Sequence, residues 1–436
     1  MVLLRGKLRG TFSPGLLYVA LLWLMLPATM SWAAAGDFDS TFSGDGRVLT
    51  EFGVGAIERG EGVAVGTDGK VVVAGWTTAG EDGKDVDLAL ARYGNDGELD
   101  ASFDGDGLVT MDFPAPSTSP DTDDAGADVA IQGGRIAVGG SSFVDSTAVA
   151  VAVYRYADGD LDTTFSGDGR VRVHSPDTLS QVSSLAFQPD GKIIVVGSAA
   201  QDFVVLRLLQ DGRRDPTFGG DGIVITDLST WDEANDVTVQ GDGKIVVVGE
   251  SNDIFGHSYF AVVRYTETGS LDPTFNRNGI QLTSFGDGNV GHAVAIAPDG
   301  KIVVAGMAVI DGTQDVAVLR YRRGGALDRK TSTAVGFSKD GKRRINFGAR
   351  DVGRAVIVQS DGKIVVVGST GGNWAISRLL SNGELDLSFS LNGKLDHPMG
   401  VATLDIALGV AIAPDGKIVA GGFGGRDFAA ARYLAA

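Results

Sequence analysis

The eight residues DGKIVVVG stand at 242–249 and again, unchanged, at 361–368. A catalytic site is needed once, so an echo at this distance marks a structural unit that the chain copies, and copying constrains the fold more than any single motif does. Seven versions align, beginning at Asp68, Gly133, Asp190, Asp242, Asp299, Asp361 and Asp415. Each is followed by an alternating apolar stretch that ends in arginine. These arginines are Arg92, Arg155, Arg207, Arg264, Arg320, Arg378 and Arg432, spaced 52 to 63 residues apart. A third marker, of the form LDxxF, places Asp100, Asp162, Asp215, Asp272, Asp328 and Asp386 seven or eight residues after an arginine, while Asp39 stands alone near the start of the chain.

Each unit resolves into four short β-rich runs. Asp-Gly between two apolar runs is a strong hairpin signal, because both residues tolerate positive φ. A second turn, LDxxF followed by GDG, leads into the fourth run. Four-stranded units repeated seven times predict an all-β chain, a seven-bladed β-propeller in which radial repetition leaves only short, protected sheet edges. A linear solenoid would need polar caps at both ends. Here the repeats begin with a fourth-strand segment, FSGDGRVLTEF at 42–52, and finish at a third-strand segment, FAAARYLAA at 428–436. The two fragments add up to one blade, so the N-terminal strand is expected to close the ring against residues 408–434. Within each unit an Arg-carboxylate pair is expected to hold the corner between third and fourth strands, with Arg432 meeting Asp39 through ring closure.

The ordered pattern of arginine, LDxxF, GDG and DGKIVVVG resembles the delta-60 repeat family of bacterial exported β-propeller proteins. The resemblance covers residues 36–436 and implies the fold and export. It implies no activity, because the family carries none that transfers.

Ahead of the repeats, Arg5, Lys7 and Arg9 precede an apolar run from Leu16 to Leu26 and a small-residue segment, SWAAAG. This reads as a secretory signal over 1–35, cut after Ala35. A secreted or periplasmic location follows, with no membrane attachment after cleavage. The chain has no cysteine, which excludes disulfides, thiolate metal sites and a thiol nucleophile. A net charge of −18 repels phosphate backbones, so nucleic acid is not an expected partner.

Chemistry-bearing residues are few. GxSxG and HExxH motifs are missing, and the four histidines, His174, His257, His292 and His397, fall in different units, with only His257 and His292 expected near one another. Five residues before the first-strand core lie Glu58, Asp124, Ser180, Asp232, Asn289, Asp351 and Asp405. The acidic members would crowd near the channel entrance and could hold calcium through hard oxygen ligands, or could cap the turn into each first strand. The GDG segments read as tight turns. Variable loops at 76–87, 114–128, 251–258 and 286–292 mark one face as the recognition face, and Trp76, Trp231 and Trp374 in or beside it suit stacking on a ligand, with His257 and His292 as further candidates. A basic insertion over 329–344 interrupts the sixth corner. Two readings follow. The first is a monomeric binding or scaffold protein that recognises a protein or polysaccharide at the cell envelope. The second is a hydrolase or lyase with a metal-assisted site in the central funnel.

Overall fold

The Asp-Gly turns act as the sequence predicts. Gly243 and Gly362 sit at φ 79° and 83°, in the left-handed region that glycine enters without a Cβ penalty. The next residue's N–H is drawn back onto the turn aspartate, as in Lys363 to Asp361 Oδ1 at 3.0 Å. The computed structural model describes residues 34–79, 86–113, 123–143, 147–173, 181–332, 336–400 and 404–435. Among these the chain forms twenty-eight strands in seven antiparallel sheets of four, and no helix. Blade one holds Glu58–Val65, Val71–Thr77, Asp87–Tyr93 and Leu108–Met111; blades two to six start at Asp123, Gln181, Trp231, Asp287 and Asp351. Blade seven is made of Asp405–Ile412, Ile418–Gly424, Asp427–Tyr433 and the N-terminal strand Arg47–Thr50, which pairs with the third of these in the register Arg47↔Ala431 to Thr50↔Phe428. The expected closure is therefore present, with a shorter outer strand than the 42–52 segment. The 1–35 segment read as a secretory signal falls almost wholly outside the described residues.

The second strand of each blade is an unbroken apolar run because both of its faces are covered. Val246 and Val248 pack toward blade five while Ile245 and Val247 pack toward blade three, and all four are fully buried. Burying each such side chain contributes roughly 1.5–3 kcal/mol relative to exposure. The same two-sided arrangement repeats around the ring, so each hydrophobic core lies between two blades.

The corners join blades as well as strands. Arg264 Nε lies 2.8 Å from Asp272 Oδ2, Nη2 lies 3.0 Å from Thr274 Oγ1, and Nη1 donates to the Arg323 carbonyl of blade five at 2.6 Å. Its guanidinium covers the Phe275 ring at 4.8 Å. Arg92 and Arg378 make the same set to Asp100 and Asp386, and Arg320 pairs with Asp328 without a hydroxyl contact; each reaches a carbonyl of the following blade. Arg207 also reaches the next blade, and its Nε stands 2.9 Å from Asp215 Oδ2, off the N–H direction, so that contact is an ion pair without a hydrogen bond. Arg432 closes the set on Asp39 at 2.6 Å. A second cation is present that the markers contain but the spacing did not reveal: the lysine of DGK. Lys70, Lys192, Lys244, Lys301, Lys363 and Lys417 approach the same aspartates at 2.7 to 3.7 Å. Burial alone would raise Asp39, but the Thr41 hydroxyl, Lys417 and Arg432 outweigh it and hold the carboxyl at about 2.

Blade two departs from the expectation. Val153, whose N–H donates to Gly169 and whose carbonyl accepts from Asp162, occupies the place that arginine holds elsewhere. Arg155 lies two residues further on, half exposed, and pairs with Asp158 and Asp160 in the turn. Asp162 is met instead by Arg135, at the position of the DGK lysine, at 2.7 Å. The arginine marker is out of register there, and a neighbouring strand supplies the guanidinium. In blade five the insertion leaves the corner intact, since Phe337 donates its N–H to Asp328 at 2.7 Å and lies under Arg320 at 4.9 Å. Several of the basic residues there serve local bonds: Arg322 to Asp328, Arg344 to Asp315, and Lys342 to the Ser284 carbonyl.

Every first strand also carries a bulge, and the last glycine of DGKIVVVG explains it. A Cβ on Gly249 would stand 1.8 Å from the Glu233 carbonyl, and on Gly368 1.9 Å from that of Val352. Those carbonyls belong to the residue two before each bulge. Gly249→Ala is expected to cost about 2 kcal/mol or more through backbone displacement, read as a lowered urea midpoint. Arg264→Ala, which strands a buried carboxylate, is expected to cost about 3–5 kcal/mol. Arg155→Ala at the exposed site should cost about 0–1 kcal/mol. Equal losses in the two arginine variants would overturn this assignment.

Candidate functional site

The bulges decide what faces the axis. Each first strand inserts one residue into its ladder: Glu61, Ala127, Ser183, Asn235, His292, Arg354 and Leu408 in blades one to seven. A bulge re-aims the chain locally, and all seven of these residues border a central cavity of about 970 Å³ with the residues beside them. The positions are equivalent and the side chains are not. A repeated scaffold thus presents acid, amide, imidazole, guanidinium and aliphatic groups to one space, which is how a symmetric fold acquires an asymmetric site.

Two arcs differ in charge. On one, Arg59 Nε lies 2.7 Å from Glu61 Oε1, and the Trp76 indole, cross-strand from Arg59, hydrogen-bonds the same carboxyl. Arg354 and His292 stand beside them. Burial, and then the Arg354 charge, lower His292 to about 3, so its imidazole is neutral at ordinary pH. On the other arc Ser184 Oγ lies 2.8 Å from both Asp128 Oδ2 and Asp236 Oδ1. A hydroxyl has one proton, so both contacts are hydrogen bonds together only when one carboxyl is protonated and donates to Ser184. Burial, and then Asp128, raise Asp236 to about 7. Burial, and then Glu233, raise Glu250 to about 7.

The acidic residues expected at the channel entrance do not converge. Each instead turns onto the loop before its strand: Glu58 Oε1 accepts from Phe52 N at 2.5 Å, Asp124 Oδ2 from Phe113 N at 2.7 Å, Asp351 Oδ2 from Phe347 N at 2.6 Å, and Asp405 Oδ2 from Met399 N at 2.8 Å. Free backbone N–H groups need acceptors, and these buried carboxylates supply them. Asp232 does the same for Leu228 and Ser229. Asp232 also has the carboxylates of Asp202 and Asp227 close by, with ligand oxygens within 4.8 Å of one another, and Asp124 has the single carboxyl of Asp112 beside it. Asp202, Asp227 and Asp232 are the described residues whose donor set suits a hard cation.

The aromatic candidates separate. Trp374 is fully buried and donates Nε1–H to the Phe423 carbonyl at 3.0 Å, so it packs a blade and meets no ligand. Trp76 lies at the cavity, and Trp231 is 51% exposed on blade four. His257 and His292 are not neighbours: His257 sits in an exposed hairpin loop on Asp253 at 3.0 Å, whereas His292 is mid-strand at the cavity. His397 bonds the Tyr433 hydroxyl at 2.8 Å, and His174 and Ser180 lie outside the described residues. The 286–292 segment is mostly strand, as are residues 123–128. Sequence reasoning missed Glu61, Arg59, Asp128, Asp236, Glu250 and Arg354. Five of them stand on first strands and Glu250 just past the repeated DGKIVVVG, at positions where the repeats differ from one another.

Five stretches, 66–103, 188–218, 240–275, 297–329 and 359–389, match a family described as a domain of unknown function (DUF5122) of β-propeller type. The match falls in five of the seven blades and agrees with the repeated four-stranded sheets. The unmatched blades are the second, with its displaced arginine, and the seventh, whose markers are split between the chain's two ends. Comparison with curated proteins gives no match. Among solved structures, a virginiamycin B lyase from Staphylococcus aureus aligns at 13% identity and a TM-score of 0.50, over 89% of this chain and 98% of that one. The WD40 repeats of RRP9 align at 10% identity and 0.50, over 89% and 97%. At such identities the likeness shows the fold alone.

Stability should record both kinds of carboxyl. Glu58, Asp236 and Glu250 titrate at about 7 when folded and near 4 when unfolded, so their contribution is full below about pH 4 and is lost as pH rises through about 7. Asp39 and Asp215, at about 2 when folded, contribute above about pH 4 and lose that contribution as pH falls through about 2. The melting temperature is expected to peak near pH 4–5, and Asp236→Asn should flatten the decline toward pH 8. A melting temperature that climbs steadily from pH 4 to 8 would contradict the raised group.

Proposed function

We propose that the protein is an exported binding propeller of the delta-60 repeat type that docks a protein partner through the loop end of blade four. The observation that carries this reading is an apolar cluster that includes an exposed aromatic pair: Ile254 and Phe255 are 77% exposed and Trp231 51% exposed. Trp231 pairs with Asn252 across the ladder, two residues before Ile254, so one blade end presents all three. Exposed groups of this size gathered together are typical of interaction sites.

The loop is held ready. Asp253 accepts N–H bonds from Phe255 at 2.9 Å and from His257 at 3.0 Å, and its second oxygen meets the His257 ring and the Tyr259 hydroxyl. A loop ordered in advance loses less freedom on binding. Aliphatic Ile254 favours a protein surface over a polysaccharide, where a lone stacking ring would suffice. The enzymatic alternative drew its metal from the carboxylate ring, and those carboxylates face loops rather than the funnel.

The test is capture from envelope and secreted material, followed by titration of the purified candidate. A saturable protein partner should lose at least tenfold in affinity to the double variant Trp231→Ala, Phe255→Ser at unchanged melting temperature. Binding that survives the double variant, or binding only to glycans, would move the reading elsewhere.

A further inference from the structure

The central cavity holds ionisable groups that the fold does not use. Corner arginines such as Arg264 spend their donors on a carboxylate, a hydroxyl and a carbonyl. Arg354 is different. Among the described residues its side chain has no hydrogen bond, no carboxylate within ion-pair distance and no ring beneath it, and its Nε is shielded from solvent without a partner. Burial, and then the Arg59 charge, lower its pKa, and the Glu61 carboxylate, beyond ion-pair distance, offsets them only in part. A half-buried guanidinium without a partner costs the fold stability, and a bound anion would offset that cost.

The surroundings say what would compensate it. Glu61 is engaged by Arg59 and by Trp76, so this arc carries two guanidiniums against one carboxylate. His292 adds a neutral imidazole able to donate or accept. Across the cavity Glu250 likewise has no hydrogen bond or ion pair among the described residues, although it lies in the sheet beside Glu233. One end of the space therefore lacks an anion, and the other lacks a donor or cation.

We propose that the central cavity is a binding site for a small organic carboxylate that also bears a hydroxyl or ammonium group, its carboxylate taken by Arg354 and its donor by Glu250. Guanidinium suits this role because its planar fork meets carboxylate oxygens in pairs. Trp76 walls the space near Arg59 and offers an apolar face to the body of the ligand. The cavity, at about 970 Å³, lies within the range of small-molecule sites. This site is separate from the blade-four surface and does not depend on it.

The experiment uses the purified full-length protein with serine, glycerate, lactate and gluconate as probes, and with serinamide and glycerol as counterparts of serine and glycerate that lack the carboxylate, read by saturation-transfer NMR and calorimetry. At least one carboxylate should bind saturably and at least tenfold more tightly than its counterpart. Arg354→Gln should abolish that preference while leaving the melting temperature equal or higher, because the variant removes an uncompensated charge. Glu250→Gln should weaken binding and keep the preference for carboxylate. The proposal is overturned if no carboxylate outbinds its counterpart without the carboxylate, if Arg354→Gln binds as the parent does, or if Arg354→Gln melts several degrees lower, which would make Arg354 a structural residue. Loss of the blade-four partner in the Trp231 variant would leave these outcomes unchanged.

Discussion

The corner aspartate is the contact on which the ring depends. It is placed by a turn, met by an arginine from its own blade and a lysine from the adjoining hairpin, and roofed by the phenylalanine three residues on in the uninterrupted corners. The same arginine donates to a carbonyl of the following blade, so a local turn becomes a link between blades. Asp272, with Arg264 at 2.8 Å and Lys244 at 3.5 Å, shows the full arrangement. A buried carboxylate facing two cations is stabilised only while both the desolvation and the geometry are satisfied. That requirement explains why three markers far apart in the repeat travel together.

Backbone bonds reinforce the same joint. The residue after each corner phenylalanine donates its N–H to the next blade: Asp104 to Asp158, Asn276 to Gly324, Ser338 to Asn382, and Ser390 to Ala35. The last of these crosses from blade six to the N-terminal segment, where Gly36 N and Leu434 O also meet at 2.8 Å. Closure is thus made of the same parts as every other junction, supplied from opposite ends of the chain. Blade two shows how much substitution the joint accepts. Arg135 enters from the lysine position and keeps Asp162 paired, because what the corner needs is a cation at the carboxylate rather than a particular strand of origin.

The cavity follows from the scaffold by a different route. The closing glycine of each repeat lets a first-strand carbonyl press close, the ladder slips by one residue, and the inserted side chain is presented at the axis. Repetition fixes where these seven positions lie and leaves their chemistry free. The result is a rigid ring with an uneven interior, in which one arc is basic and the other holds carboxyls raised by burial and by one another.

From the sequence came the blade count, the strand order, the Asp-Gly hairpins, the ring closure and most corner pairs, since all of these depend on local turn chemistry and on markers repeated in order. The sequence could not place Arg155, because a two-residue shift in one strand end leaves the arginine motif looking intact while its side chain lands in the turn. Nor could it tell that Trp374 is a packing residue, or that Asp124 and Asp405 cap loops, since both facts depend on which neighbour reaches the side chain first. Only the tertiary structure gathered Arg59, Glu61, His292 and Arg354 into one space. They come from three blades spread over nearly three hundred residues, and what unites them is a backbone bulge that leaves no mark on composition or period.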